Sequence, residues 1–165
     1  MRFSARHEFP AAVPAVAAVL ADPAFYTALQ LPDVALPELL DHDTDASRVT
    51  IRLRYTYAGQ LDPVARRVLA GRTLAWVQTL ALDLETYTGT LEIAGDGDDR
   101  LQGRASVALS GTDAPAGPGA TRAIEGDFRI RVPIVGGQAE KRIVPGLLAR
   151  LDVEAAAVRA SLLSG

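Results

Sequence analysis

The sequence predicts an α+β fold: a curved antiparallel sheet wrapped around one long C-terminal helix, with two short helices after the first strand. Two patterns and one packing requirement predict it. Residues 49–57 and 122–134 alternate apolar and polar side chains with a period of two, the mark of strands with one buried face. Beyond them the period changes to 3.6, and Ile143, Leu147, Leu151, Ala155, Val158 and Leu162 form one stripe. A sheet must cover its apolar face, and only this last helix, roughly 25 residues and about 38 Å long at 1.5 Å per residue, can lie across it. With 165 residues, 48% of them apolar or aromatic, and no long linker, the chain is expected to form one domain over residues 1–165.

The elements follow in order. Residues 2–9 place Phe3, Ala5, His7 and Phe9 on one side and Arg2, Ser4, Arg6 and Glu8 on the other, which makes a strand. Val13, Val16, Ala17 and Leu20 recur at helical spacing until Asp22-Pro23, because proline bars the residue before it from the helical region. Asp22 then caps a short second helix with Pro23 in its first turn, broken at Leu31-Pro32. Residues 36–43 are expected to pair with strand 49–57. Asp62 as cap and Pro63 at the first helical position start another short helix, closed by Gly71. After it Leu74, Trp76, Gln78, Leu80 and Leu82 share one strand face, and Tyr87, Gly89, Leu91 and Ile93 share another. Gly95-Asp96-Gly97-Asp98-Asp99 reads as a hairpin turn, since Gly and Asp tolerate positive φ, and it lacks the spacing and terminal Glu of a calcium loop. Leu101 to Leu109 alternate again, residues 112–119 form a Pro- and Gly-rich loop, and the last strand runs to Ile134 before a Gly136-Gly137 turn. Pro145-Gly146 is expected to kink the final helix.

Composition removes several chemistries. There is no cysteine, one lysine (Lys141), one tryptophan (Trp76) and two histidines (His7, His42) far apart, so disulfides, thiolate catalysis and cysteine zinc sites are excluded. Serines 106, 110 and 161 have no neighbouring histidine or nucleophile-elbow glycines, which argues against a hydrolase. A net charge of −3 lacks the basic field that grips phosphates, so no nucleic-acid partner is expected. The start of the chain alternates polar and apolar residues instead of showing a secretory signal, so a cytoplasmic location is expected. The longest near-apolar stretch, residues 10–21, is short of the roughly 20 residues that span a bilayer.

Strands with their apolar side gripping one helix resemble the helix-grip fold of the START-like (SRPBCC) superfamily, which includes pollen-allergen and polyketide cyclase or dehydratase-like proteins. Phe-Pro-Ala-Ala-Val at 9–13, Leu-Ala-Asp-Pro-Ala-Phe-Tyr at 20–26, the lone Trp76 and Val-Pro-Ile-Val-Gly-Gly-Gln-Ala-Glu at 132–140 look more specifically like a bacterial START-like family of unknown function. The resemblance covers nearly the whole chain. It implies a hydrophobic cavity between sheet and helix, and no catalytic residues, since that family has no assigned reaction.

If the helix-facing side of each strand lines a cavity, its walls are His7, Tyr55, Tyr57, Trp76, Gln78 and Phe128, with Leu147 and Leu151 from the helix. The alternative is that these side chains pack a solid core. Gln78 favours the cavity, because an amide buried without a partner costs roughly 1–3 kcal/mol. One bulge would turn this set outward. His7 is the one base set among apolar neighbours, and is read first as a hydrogen-bonded structural histidine. His42 between Asp41 and Asp43 reads as a solvated strand end, so neither metal nor cofactor is expected. Arg52, Arg54, Arg129 and Arg131 are expected to pair across the sheet with Asp83, Glu85, Glu125 or Asp127, at no more than about 1 kcal/mol each. Three functions remain open: binding of a hydrophobic or amphipathic molecule, a cyclase or dehydratase-type enzyme using His7, Tyr55 or Tyr57, and a protein-interaction domain or homodimer.

Overall fold

The computed structural model describes residues 1–164. Seven strands form one antiparallel sheet in the order β1-β7-β6-β5-β4-β3-β2. They are β1 (Arg2–Phe9), β2 (Glu38–Asp45), β3 (Arg48–Thr56), β4 (Ala75–Asp83), β5 (Thr88–Gly95), β6 (Asp98–Ala114) and β7 (Gly117–Ile130). Strands β2 to β7 run as a meander, and β1 closes the far side by pairing with β7 from Arg2 opposite Asp127 to Phe9 opposite Ala120. Helices α1 (Val13–Leu20) and α2 (Pro23–Thr27) follow β1, α3 (Pro63–Leu69) lies between β3 and β4, and α4 (Gly136–Ser164) ends the chain. This is the predicted α+β arrangement, a curved open sheet around a long C-terminal helix.

The period-two residues are the ones buried. Val49, Ile51, Leu53 and Tyr55 of β3 and Ala105, Val107 and Leu109 of β6 face the core while their neighbours face water. Asp22 accepts from the Ala24 amide and Asp62 from the Ala65 amide, each with proline next in sequence, so both capped helices start where the side-chain chemistry requires. Strand β2 has hardly any buried side chain and carries an irregularity between Leu39 and Asp41, as an unprotected edge does.

Three boundaries differ from expectation. Residues 112–119 are not a loop: β6 and β7 continue as a projecting hairpin, pairing out to Ala114 opposite Gly117 around Pro115-Ala116. Residues 110–118 are all exposed, so the ladder persists where the apolar alternation has stopped. Strand β7 ends at Ile130, four residues early. Pro133 cannot donate to a ladder, and the Ile130 amide donates instead to the Glu140 carboxylate at 2.8 Å, which folds the chain into α4. Ile134 is left 99% exposed with φ at 72°. Helix α4 then begins at Gly136, where a side-chain Cβ would lie 2.3 Å from the Ile130 carbonyl oxygen, so only glycine permits the turn. The helix has 29 residues, about 44 Å at 1.5 Å per residue, and continues through Pro145.

Two clusters fill the space between sheet and helix. The larger holds Tyr26, Ile51, Leu53, Tyr55, Phe128, Val144 and Leu151; the smaller packs Val16, Ala17 and Leu20 of α1 against Ala155 and Val158 of α4. No helix among the described residues is long and apolar enough to cross a membrane.

Candidate ligand-binding cavity

The helix–sheet interface is not filled evenly along α4. Helices α1 and α2 close one end; at the other a cavity of about 230 Å³ remains. Its floor is Ile93, Leu101 and Phe128 of the sheet, its roof Ile143, Gly146, Leu147 and Arg150 of α4, and its side Leu61 and Ala65 from α3 and the turn before it. Ile143 and Leu147 belong to the predicted helical stripe but are only half-buried, because they face open space instead of packed side chains. A smaller chamber of about 130 Å³ adjoins it, sharing Ala65, Leu74, Leu101 and Ile143.

Aromatic rings organise one wall. Trp76 of β4 sits opposite Tyr55 of β3 in the ladder, and the rings stack at 5.5 Å with 10° between their planes. Tyr57 lies one residue past β3 and donates its hydroxyl to the Gln60 carbonyl at 3.2 Å. The Arg150 guanidinium lies 5.7 Å from the Tyr57 ring centre and 5.9 Å from that of Trp76, within cation–π range of both. Its Nε is buried without a hydrogen-bond partner among the described residues. Burial lowers the Arg150 pKa, but a guanidinium stays charged at neutral pH.

The mouth is bounded by α3. Arg142 on α4 meets Asp62 at 3.4 Å, and Asp62 also caps α3. The Ala65 amide, and after it Arg142, hold the Asp62 carboxyl below its usual range. No residue of α3 is fully buried, and the helix ends with Ala70 at φ 49° and Gly71 at φ 83°, a left-handed stop.

Of the residues nominated from sequence, Tyr57, Trp76, Phe128 and Leu147 line this cavity. Tyr55 stands behind Trp76, outside the cavity lining, and is 2% exposed, and burial drives its hydroxyl pKa far up. Gln78 and Leu151 line a separate void of about 20 Å³ deeper in the core, with Tyr26, Arg122 and Glu154. His7 lines neither. Its Nδ1 accepts from Arg122 at 3.2 Å, so its Nε2 carries the proton and donates to Asp152 at 2.9 Å. Burial first, then the Arg122 charge, lowers the His7 pKa, while Asp152 opposes both. Period two places these side chains on the inner face, but which end of the helix each meets depends on sheet curvature, and β1 with Arg122 of β7 meets the far half of α4. His42, Asp41 and Asp43 are exposed on β2, and no cluster of three or more His, Cys, Asp or Glu among the described residues is placed to hold a metal.

Residues 4–162 match the family described as "Protein of unknown function (DUF2505)". The chain belongs to that family. No curated protein matches the sequence. Solved structures share the fold at low identity. The TTHA0849 protein of Thermus thermophilus is 13% identical, with a TM-score of 0.69 over 99% of this chain and 98% of that one. The Zhui aromatase/cyclase of a Streptomyces species is 16% identical, with a TM-score of 0.56 over 99% and 92%. Ara h 8.0201 is 14% identical, with a TM-score of 0.57 over 100% and 99%. The helix-grip resemblance therefore holds at the level of fold.

The sequence reading names Asp62 only as a helix cap, does not join it to Arg142, and passes over Arg150 and the buried Arg122–Glu154 pair. Spacing carried a signal for Arg150 and Arg122. Arg150 follows Ile143 and Leu147 at i+7 and i+3, on the same side of the helix, and Arg122 shares the inward parity of Ile124, Phe128 and Ile130. Both were hidden by their charge, which is ordinarily a sign of an outward face.

Proposed function

We propose that this protein binds a hydrophobic or amphipathic small molecule in the cavity between the sheet and α4, entering past α3. The observation that carries the reading is an aromatic- and aliphatic-walled chamber of about 230 Å³, with Trp76, Tyr57, Phe128 and Leu147 around it, between the sheet and α4. Ligand sites are concave and mostly apolar with a few placed polar groups, and this chamber has that character. The names of two structural neighbours, an aromatase/cyclase and a di-domain aromatase/cyclase, suit a lipid- or polyketide-like ligand.

Catalysis is the second reading, and it rests on Tyr57, the one nominated proton donor at the cavity wall, whose hydroxyl is engaged by the Gln60 carbonyl. Tyr57→Phe would abolish turnover of a cyclisable substrate if it held, and leave binding within a few-fold if it did not.

Binding is tested by native mass spectrometry of the protein as expressed and by displacement of 1-anilinonaphthalene-8-sulfonate with fatty acids of increasing length. Saturable displacement that sharpens with chain length supports the reading; no co-purifying mass and no displacement at millimolar fatty acid removes it.

A further inference from the structure

The charges around the cavity are unequal. Arg142 is paired with Asp62 at the rim, whereas Arg150 makes no salt bridge among the described residues. Its nearest acidic influence, Asp33, is outside the cavity lining. Arg150 instead lies over two rings, its guanidinium carbon within 6 Å of both the Tyr57 and Trp76 ring centres, and its Nε is buried without an acceptor. The guanidinium thus lines the cavity with no anion beside it, and its planar fork of donors matches a carboxylate in two parallel hydrogen bonds.

We propose that the ligand carries a carboxylate, seated on Arg150, with its apolar body lying along Leu147, Phe128 and Ile93. This rests on the binding function proposed above and narrows it to amphipathic monoacids. A dianionic phosphate fits less well, since the second cation at the cavity, Arg142, already serves Asp62.

The test compares decanoate with 1-decanol by isothermal titration calorimetry at pH 7.5, on wild type, Arg150→Met and Arg150→Lys. Methionine keeps an unbranched apolar stem and removes the charge; lysine keeps the charge and removes the fork. Wild type is expected to bind decanoate about 10- to 100-fold more tightly than decanol, the range that a hydrogen bond to a charged group supplies. Arg150→Met should bring decanoate to the level of decanol while leaving decanol unchanged, and Arg150→Lys should keep only part of the preference. Equal wild-type affinity for the two probes overturns the carboxylate assignment and leaves the cavity reading standing; so does an undiminished preference in Arg150→Met. Binding of neither probe to wild type overturns both. The wild-type comparison needs no variant, so it decides the matter even if Arg150→Met does not fold.

Discussion

The buried pair of Arg122 on β7 and Glu154 on α4 is the sharpest energetic feature of the interior, and its removal has a calculable cost. Their side chains are 3% and 10% exposed. Replacing Glu154 by leucine leaves a guanidinium in the core without its counter-charge, a loss of about 3–5 kcal/mol where one partner of a buried pair is deleted. Arg122 keeps two acceptors, His7 Nδ1 at 3.2 Å and the Leu151 carbonyl at 3.4 Å, which places the expected loss at the low end, about 3 kcal/mol. At roughly 2–4 °C per kcal/mol for a domain of this size, Tm falls by about 6–12 °C. Arg122→Met with Glu154→Leu removes both charges, and paired removal is often neutral or stabilising. The double variant should therefore be more stable than Glu154→Leu, short of wild type by about 1 kcal/mol for the acceptor left unused on His7. Urea unfolding of wild type, Glu154→Leu, Arg122→Met and the double variant, followed by the single tryptophan, gives the four free energies and the coupling. A Glu154→Leu loss below about 1 kcal/mol, or a double variant weaker than either single one, would refute the reasoning.

Three further outcomes follow from the same geometry. The His7 pKa is lowered by burial and by Arg122, against Asp152 and Glu154, so as pH falls below 6.5 the unfolded chain takes up the proton first. Stability should therefore drop as pH falls below about 6.5, ahead of the carboxylate range, and His7→Gln should flatten that segment of a urea-unfolding pH series. Leu147→Trp, directed into the cavity, should weaken decanoate binding at least tenfold in calorimetry. Its unfolding free energy should change by less than about 1.5 kcal/mol, because the larger side chain enters open space instead of a packed core. Asp62→Ala removes the α3 cap, worth about 1 kcal/mol, and should speed hydrogen exchange at residues 64–69, whereas Asp62→Asn, which still caps, should not.

What was legible in the sequence is what repeats. Strands β3 and β6 alternate cleanly because each has one wet and one dry face, and the stripe from Ile143 to Leu162 persists because one side of α4 meets sheet and α1. The hairpin at 110–118 and the first turn of α4 were not legible: both lie where no apolar partner imposes a period, and backbone pairing or the Glu140 carboxylate shapes them. The candidate site divides in the same way. The inward face of Tyr57, Trp76 and Phe128 follows from parity, but the separation of His7 and Gln78 from them is a consequence of where α1 and α2 fill the interface. Arg150 obeys the helical spacing and was missed because a charged residue inside a chamber is intelligible only once its rings, Tyr57 and Trp76, are brought beside it.

The central claim, that the chamber under the first half of α4 receives a ligand, is tested most directly by titrating decanoate into isotopically labelled protein and following amide and indole resonances. The lone Trp76 gives one indole signal. The account predicts saturable shifts at the Trp76 indole and at the amides of Tyr57, Ile143 and Leu147, with Ala17, Leu109 and Val158 at the packed end unmoved. Absence of a saturable Trp76 shift, or shifts confined to the exposed β6–β7 hairpin, would contradict it.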